Sequence, residues 1–453
     1  MLTRLKFENF KSWPALDMPC GKITGIFGTN SSGKTSILQF LLMLKQTKDA
    51  TDRATALELN GDLVRLGTII DAIHRHEESR RIAWECSFEL PEALKLVNPS
   101  GKRSDTVAEG RELAVGATIR IDKKAAVSNR LSYRLGEGSF ALEPKNNSPD
   151  EFDLTASVQG FSFIRTQGRA WQLPRPIKSY AFPDQARTYF QNAGFLADLE
   201  AAYERAIDRI FYLGPLRQYP QRDYLWARSR PTDVGIQGEK TIDAILAATE
   251  ANEKRNLKHR GRKLLFQEVI AHWLKELGLI HAFRVEEIAQ NSNRWQAKLK
   301  TREGASEVLL TDVGFGVSQV LPVITLLQFV DPGSTVLLEQ PEIHLHPLAQ
   351  AGLADVIIQA ARYRNVQIIL ESHSEHLLLR LQRRIAEEAI AASEVKLYFC
   401  DAPRGASELT ELQVDLFGRI QNWPDKFMGD AFEEAAQAEI ARLKRRKADL
   451  SRS

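Results

Sequence analysis

The 453-residue sequence predicts an α/β fold, a mixed sheet in which antiparallel elements flank a parallel core. Three observations predict it. A mostly apolar run, Ile23 to Phe27, leads into the loop Gly28-Thr29-Asn30-Ser31-Ser32-Gly33-Lys34-Thr35 and then a helical pattern from Ser36 to Leu44. Two more short apolar runs follow, Thr335 to Glu339, which ends in a carboxylate, and Val366 to Leu370, which leads into Glu371-Ser372-His373-Ser374. Between these parts, Ile82 to Arg165 breaks into short, often alternating segments separated by Gly, Pro, Asn and Asp clusters, which reads as a β-rich insert.

Taken in order, Leu2 to Phe10 partly alternates apolar and polar residues and reads as a strand, followed by a turn around Ser12 to Pro14. In the helix after the loop, Ile37, Leu38, Leu41 and Leu44 share a face that packs on the sheet. Leu57 to Gly67 reads as a hairpin turning at Asn60-Gly61. The insert's strands fall at Ile82–Leu90, Val115–Ile121, Leu131–Leu135 and Phe161–Arg165, with loops at Asn98–Glu109 and Pro144–Pro149. Ala186 to Ile210 and Ile242 to Leu279 read as helices that form a helical lobe. The second carries the basic cluster Lys254 to Lys263, for which a solvated face and a nucleic-acid contact are both open. Arg217, just past the run Phe211 to Leu216, is either a phosphate contact or a structural ion-pair partner. The basic stretch Glu433 to Lys447 reads as a helix.

Composition excludes several classes. With 43% hydrophobic residues the chain can bury a large core, and a net charge of +3 is too small for nucleic-acid binding over the whole surface. Cys20, Cys86 and Cys400 are too few and too scattered for a disulfide frame or a zinc cluster, which fits a reducing compartment. No signal-peptide core and no apolar run of roughly 18 residues is present, so the expected setting is the cytoplasm, with no membrane partner.

The chemistry concentrates in four stretches. The loop fits G-x-x-x-x-G-K-[ST] between a strand and a helix, a context that argues against a chance glycine turn. Its backbone N–H groups and the positive helix end make a concave site for polyphosphate, with Lys34 reaching the terminal phosphates and the Thr35 hydroxyl on Mg²⁺. ATP or GTP is the expected ligand. Gly314-Phe315-Gly316-Val317-Ser318-Gln319 opens an apolar helix, Val320 to Val330, and offers a second anion-binding geometry. Thr335 to Glu339 suits a Mg²⁺-holding strand, because nucleotide sits at the carboxyl edge of such sheets. His373, following the last apolar run, stands at that same edge within reach of a γ-phosphate. His344 and His346 are either a metal pair or residues that pack or contact a partner.

In this order FENFKSW, GTNSSGKT, VGFGVSQVLP, LLEQPEIHLHP and ESHSEHLL resemble the motifs of the ABC-type ATPase heads of the SMC, RecF and overcoming-lysogenisation-defect group. GRIQNWPDKFMGD is similar to a tail found in one bacterial subfamily of these AAA-family ATPases. The likeness is strong over roughly residues 1–80 and 305–430 and loose between them. It implies an ABC-type head with ATP and Mg²⁺ as cofactors. Asn30, Ser31, Ser32, Gly33, Lys34, Thr35 and Ser36 would line the phosphates, with Thr35 and Glu339 on the metal. Gly316, Ser318 and Gln319 would form the signature element that contacts the ATP of a second subunit, which implies a homodimer, or higher homo-oligomer, of heads sandwiching ATP. The catalytic set would be Glu339, Gln340, Glu342 and His373.

One departure matters. The residue after the Walker B acid is usually a glutamate acting as general base, and Gln340 cannot accept a proton from water at neutral pH. Either Glu342 or His373 positions the water, or hydrolysis is slow and ATP acts as a long-lived clamp, or the register is misaligned; the PEIHLHP continuation argues against the last. The other departure, Thr29 where the group often has proline, is tolerated by a loop that works through its backbone.

The expected domains are residues 1–80 and 305–430 as two halves of the head, 81–184 as the insert, 185–304 as helical lobe and linker strands, and 431–453 as a basic C-terminal helix. Two functions fit: a regulatory or sensor ATPase in anti-phage defence, serving a separate nuclease or toxin effector, and a RecF- or SMC-like ATPase acting on DNA. Relatives with a fused nuclease carry it after the ATPase, where this sequence has only a short tail.

Overall fold

The structure, a computed structural model, describes residues 1–99, 105–145, 148–168, 172–258, 261–290, 292–424 and 440–442. Its centre is a six-stranded sheet in the order Glu408–Leu412, Val395–Asp401, Ile23–Gly28, Gln367–Glu371, Thr335–Glu339, Ile210–Leu213. All pairs are parallel except the one made by Glu408–Leu412. The central strands are continuous apolar runs because both faces are covered. Leu337, Ile369 and Tyr398 point into one core, whereas Val336, Leu338, Ile368, Leu370, Leu397 and Phe399 point into the other. Period-two alternation thus divides each strand between two apolar clusters.

The first core lies under a seven-stranded antiparallel sheet, ordered Trp13–Pro19, Leu2–Phe10, Ile82–Val97, Thr106–Asp122, Ala125–Leu135, Gly138–Lys145, Ser148–Ser157. Helix Lys34–Asp49 is wedged against it: Phe40 stacks on Phe7 at 4.5 Å and meets Phe10 edge-on at 5.0 Å. The second core gathers helices Thr241–Glu250, Phe266–Glu276, Phe315–Phe329 and Pro347–Tyr363. Buried Gln367 stitches the two sheets together, donating to the Leu2 and Gly21 carbonyls at 2.6 and 2.9 Å while accepting from the Leu2 N–H at 2.9 Å.

Several expectations are corrected. The strand Ile82–Val97 pairs directly with Leu2–Phe10, so a boundary at residue 80 separates neighbours within one sheet and the insert is an extension of the head. The stretch 185–304 contributes to both cores: Leu196–Asp208 packs in the first, Thr241–Glu250 and Phe266–Glu276 in the second. The turn before the loop is shorter than expected, and Trp13–Pro19 is a strand. Leu57 to Gly67 makes a single bridge, Asn60 to Arg65, in place of a hairpin. Its backbone is satisfied from outside, since the Gln46 amide donates to Glu58 and Val64 carbonyls at 2.6 and 3.2 Å.

The helix expected from Ala186 to Ile210 is broken into Asp184–Tyr189 and Leu196–Asp208. Asn192 occupies the break and bonds the Ile164 N–H and Ser162 carbonyl at 2.9 and 2.8 Å. Phe161 to Arg165 is no strand; Phe161 packs edge-on against Phe195 at 5.6 Å. The helix expected from Ile242 to Leu279 is two helices separated by a hairpin, Lys254–Asn256 with Lys263–Leu265. The basic cluster sits on that hairpin, with Arg255 tied to Glu253 and to the Gln328 carbonyl at 3.0 Å. His259 and Arg260 lie outside the described residues, as does the basic tail 431–453 apart from Ile440 to Arg442. The loops expected at Asn98–Glu109 and Pro144–Pro149 overlap strand ends, and 100–104 and 146–147 lie outside the described residues.

Candidate functional site

Strand Ile23–Gly28 delivers the glycine loop to the carboxyl edge of the parallel sheet, and helix Lys34–Asp49 starts there. Two glycines are required by geometry. Gly28 has φ 144°, and a Cβ there would lie 2.0 Å from the Cys400 carbonyl oxygen. Gly33 has φ 93°, and its Cβ would meet Ser407 Oγ at 2.4 Å. The loop is buttressed from behind: Trp13 Nε1 donates to the Gly33 carbonyl at 3.0 Å, and Cys400 Sγ contacts the Ser32 carbonyl at 3.0 Å. Thr29, Asn30 and Ser31 are exposed at the rim, whereas Ser32 and Lys34 are buried.

Lys34 Nζ donates within its own loop, to the Thr29 and Gly28 carbonyls at 2.6 and 3.2 Å. Burial lowers its pKa, opposed by the charge of Glu371. The Thr35 hydroxyl donates to Glu371 Oε1 at 3.1 Å. Glu339 ends the neighbouring strand in register with Glu371, and one of its oxygens accepts from the Tyr212 hydroxyl at 2.6 Å. Glu342 is buried in the following turn and accepts from the His373 N–H at 2.7 Å. Burial raises the pKa of all three carboxyls, that of Glu371 to about 7 with Glu339 as second cause. Partial desolvation, then the charge of Lys34, lowers the pKa of the His373 ring.

Lys34, Thr35, Glu339, Glu342 and His373 therefore come together at one sheet edge. Gln340 joins them half-buried, with φ 44° and its N–H on the Glu371 carbonyl at 2.9 Å. The signature residues do not join. The Ser318 hydroxyl turns back onto the Phe315 carbonyl at 2.8 Å, Gln319 is buried, and Gly316 packs near the His344 carbonyl. The two histidines do not form a metal pair: the His344 ring packs on Phe315 at 5.3 Å, and His346 Nδ1 accepts from the Ala349 N–H at 3.3 Å as a helix cap. Arg217 is a structural cation, donating to the Pro215 and Glu339 carbonyls at 2.7 and 3.4 Å.

A divalent cation fits this edge. The donors are hydroxyl and carboxylate oxygens, and Oε2 of both Glu371 and Glu342 is buried with no hydrogen-bond partner. Among the described residues no group of three or more His, Cys, Asp or Glu could hold a metal on its own. Sequence reasoning missed Glu371, Tyr212 and the buttress of Trp13, Cys400 and Ser407. Glu371 was visible as a carboxylate ending an apolar run, the same signal that singles out Glu339.

Fold and site together define an ABC-type ATP-binding ATPase head. A profile of the family described as "AAA domain, putative AbiEii toxin, Type IV TA system" matches residues 117–380, more than half of the chain. The chain belongs to that family. The match begins well after Thr35, so the phosphate loop is an observation independent of it. A second profile, described as a protein of unknown function (DUF3696), matches residues 390–437. No curated protein sequence matches.

Among solved structures, the chain is similar to an SMC head bound to the C-winged helix domain of ScpA, at 12% identity and a TM-score of 0.45, covering 92% of this chain and 98% of that one. It is also similar to the SMC head domain from Thermotoga maritima, at 12% identity and a TM-score of 0.41, covering 91% and 99%. A third is the Smc head with an extended coiled coil from Pyrococcus furiosus, bound to the C-terminal domain of ScpA, at 11% identity and a TM-score of 0.43, covering 91% and 96%. No helix among the described residues is long and apolar enough to cross a membrane.

Proposed function

We propose that the chain binds ATP with Mg²⁺ at residues 28–36, pairs head-to-head with a second copy around the nucleotide, hydrolyses it slowly, and acts as a regulatory subunit for a separate nuclease or toxin effector in anti-phage defence. The observation that carries this reading is the glycine loop, with Lys34 and Thr35, set against buried carboxylates at the edge where Gln340 stands in place of a general base. Lys34 would bind phosphate, and Thr35 and Glu339 would hold the cation, which when bound would supply charge neutralisation. Glu342 holds the backbone N–H of His373, and the His373 side chain contacts a terminal phosphate. With an amide at position 340, proton removal from water is the step left unassisted.

Pairing is supported by exposed apolar side chains beside the signature helix: Leu216, Tyr219 and Phe315 are exposed by 74%, 70% and 41%. The family's description, which places its AAA domain in a toxin–antitoxin system, supports a role in a module of two components. The alternative, direct action on DNA, keeps the exposed basic residues Lys254, Lys258, Arg262 and Lys263, whereas Arg255 in the same hairpin is tied to internal partners.

Nucleotide-binding and sizing measurements on three proteins test the reading. Lys34→Ala is expected to lose ATP binding. Ser318 is only 7% exposed, so Phe315→Glu is the cleaner interface probe; it is expected to bind ATP yet lose ATP-driven dimerisation. Dimerisation that survives Phe315→Glu refutes pairing through this face, and salt-dependent duplex binding by the wild type favours the DNA reading.

A further inference from the structure

We propose that Glu371 is a direct ligand of the divalent cation, so that the ion sits between the Thr35 hydroxyl and two strand-end carboxylates, Glu339 and Glu371. The inference rests on the nucleotide-binding reading above and deepens it. Glu339 and Glu371 are the last residues of adjacent parallel strands and are paired in register, so their side chains leave the sheet on the same face. Of the two, Glu371 is the one that meets the phosphate loop: its Oε1 accepts from the Thr35 hydroxyl at 3.1 Å, while Glu339 is held by the Tyr212 hydroxyl at 2.6 Å.

The remaining oxygen of Glu371 is unpartnered in a side chain only 2% exposed. A buried carboxylate oxygen without a donor is costly, and a cation is the partner that removes the cost. Composition points the same way. Three buried acidic side chains, Glu339, Glu342 and Glu371, are gathered with two buried basic ones, Lys34 and Arg217, a surplus of oxygen ligands at the edge where the phosphate loop ends. Magnesium and manganese accept one or two carboxylates beside phosphate oxygens, which this edge provides.

A purely structural Glu371 that only anchors Thr35 makes a different prediction, because glutamine keeps an oxygen to accept that hydroxyl and loses only the charge. The test is a Mn²⁺ titration of the full chain with a non-hydrolysable ATP analogue, following free Mn²⁺ by electron paramagnetic resonance. Glu371→Gln is expected to weaken Mn²⁺ at least about tenfold, and to bind the analogue without metal more tightly than the wild type because a negative charge beside the phosphates is gone. Glu371→Asp, which keeps the charge, is expected to fall between wild type and glutamine, and it carries the test if the glutamine variant does not fold. Mn²⁺ affinity within about twofold of wild type in the folded variant overturns the assignment. A wild type that binds no analogue with or without Mn²⁺ overturns the nucleotide reading instead.

Discussion

In protein free of metal and nucleotide, Glu371 is a proton-binding group whose affinity the fold has changed. Burial first, and then neighbouring Glu339, push it from an ordinary 4.5 to about 7. Between those values the folded protein holds a proton that the unfolded chain has released. The contribution to stability is therefore fully present below about pH 4.5 and is lost as pH rises through about 7. At about 1.36 kcal/mol per pH unit, the span from 4.5 to about 7 corresponds to about 3 kcal/mol.

Glu200, also pushed up to about 7 by burial, acts in the same direction, so the informative quantity is the difference between wild type and Glu371→Gln. Urea unfolding in EDTA, stepped from about pH 4.5 to about pH 8, measures it. The wild type is expected to lose about 3 kcal/mol more than the variant across the window, leaving the variant the more stable at the alkaline end. Parallel pH profiles for the two proteins refute the reasoning.

Gln340→Glu changes an amide to a carboxylate without changing side-chain length. It is expected to raise phosphate release about a hundredfold with ATP affinity unchanged, measured under saturating ATP. Gly28→Ala places a Cβ 2.0 Å from the Cys400 carbonyl at φ 144°. Thermal unfolding is expected to show a loss of at least about 1–3 kcal/mol together with lost nucleotide binding. Gly314→Ala, where a Cβ would meet nothing within 4 Å at an ordinary negative φ, is the matched control and is expected to stay within about 0.5 kcal/mol of wild type.

The parts of this fold that were legible are those whose signal is local. Ile23 to Phe27 and Thr335 to Glu339 are short apolar runs against polar ends, and the loop between strand and helix carries its own spacing. The long strand Thr106–Asp122 was legible only in its later, alternating part, Val115 to Ile121, because its earlier half is mostly polar or small and exposed and is held by pairing with Ile82–Val97. The charged stretch after Glu250 has helical composition, and tertiary pairing makes it a hairpin. The same distinction divides the site. Lys34 and Thr35 are written in one motif, whereas Glu371 meets Thr35 across 336 residues and Tyr212 meets Glu339 across 127. Such pairings depend on strand order, which no local pattern encodes.

The phosphate loop is made near the start of the chain but is completed from near residue 400. Strand Val395–Asp401 pairs with Ile23–Gly28, Cys400 closes on the Ser32 carbonyl, and Ser407 joins Ser12 behind Gly33. On a ribosome, residues 28–35 would therefore be translated long before they can be held in shape. Nucleotide binding would arrive as one of the last events of maturation, and a chain interrupted before residue 395 would have the motif without the pocket.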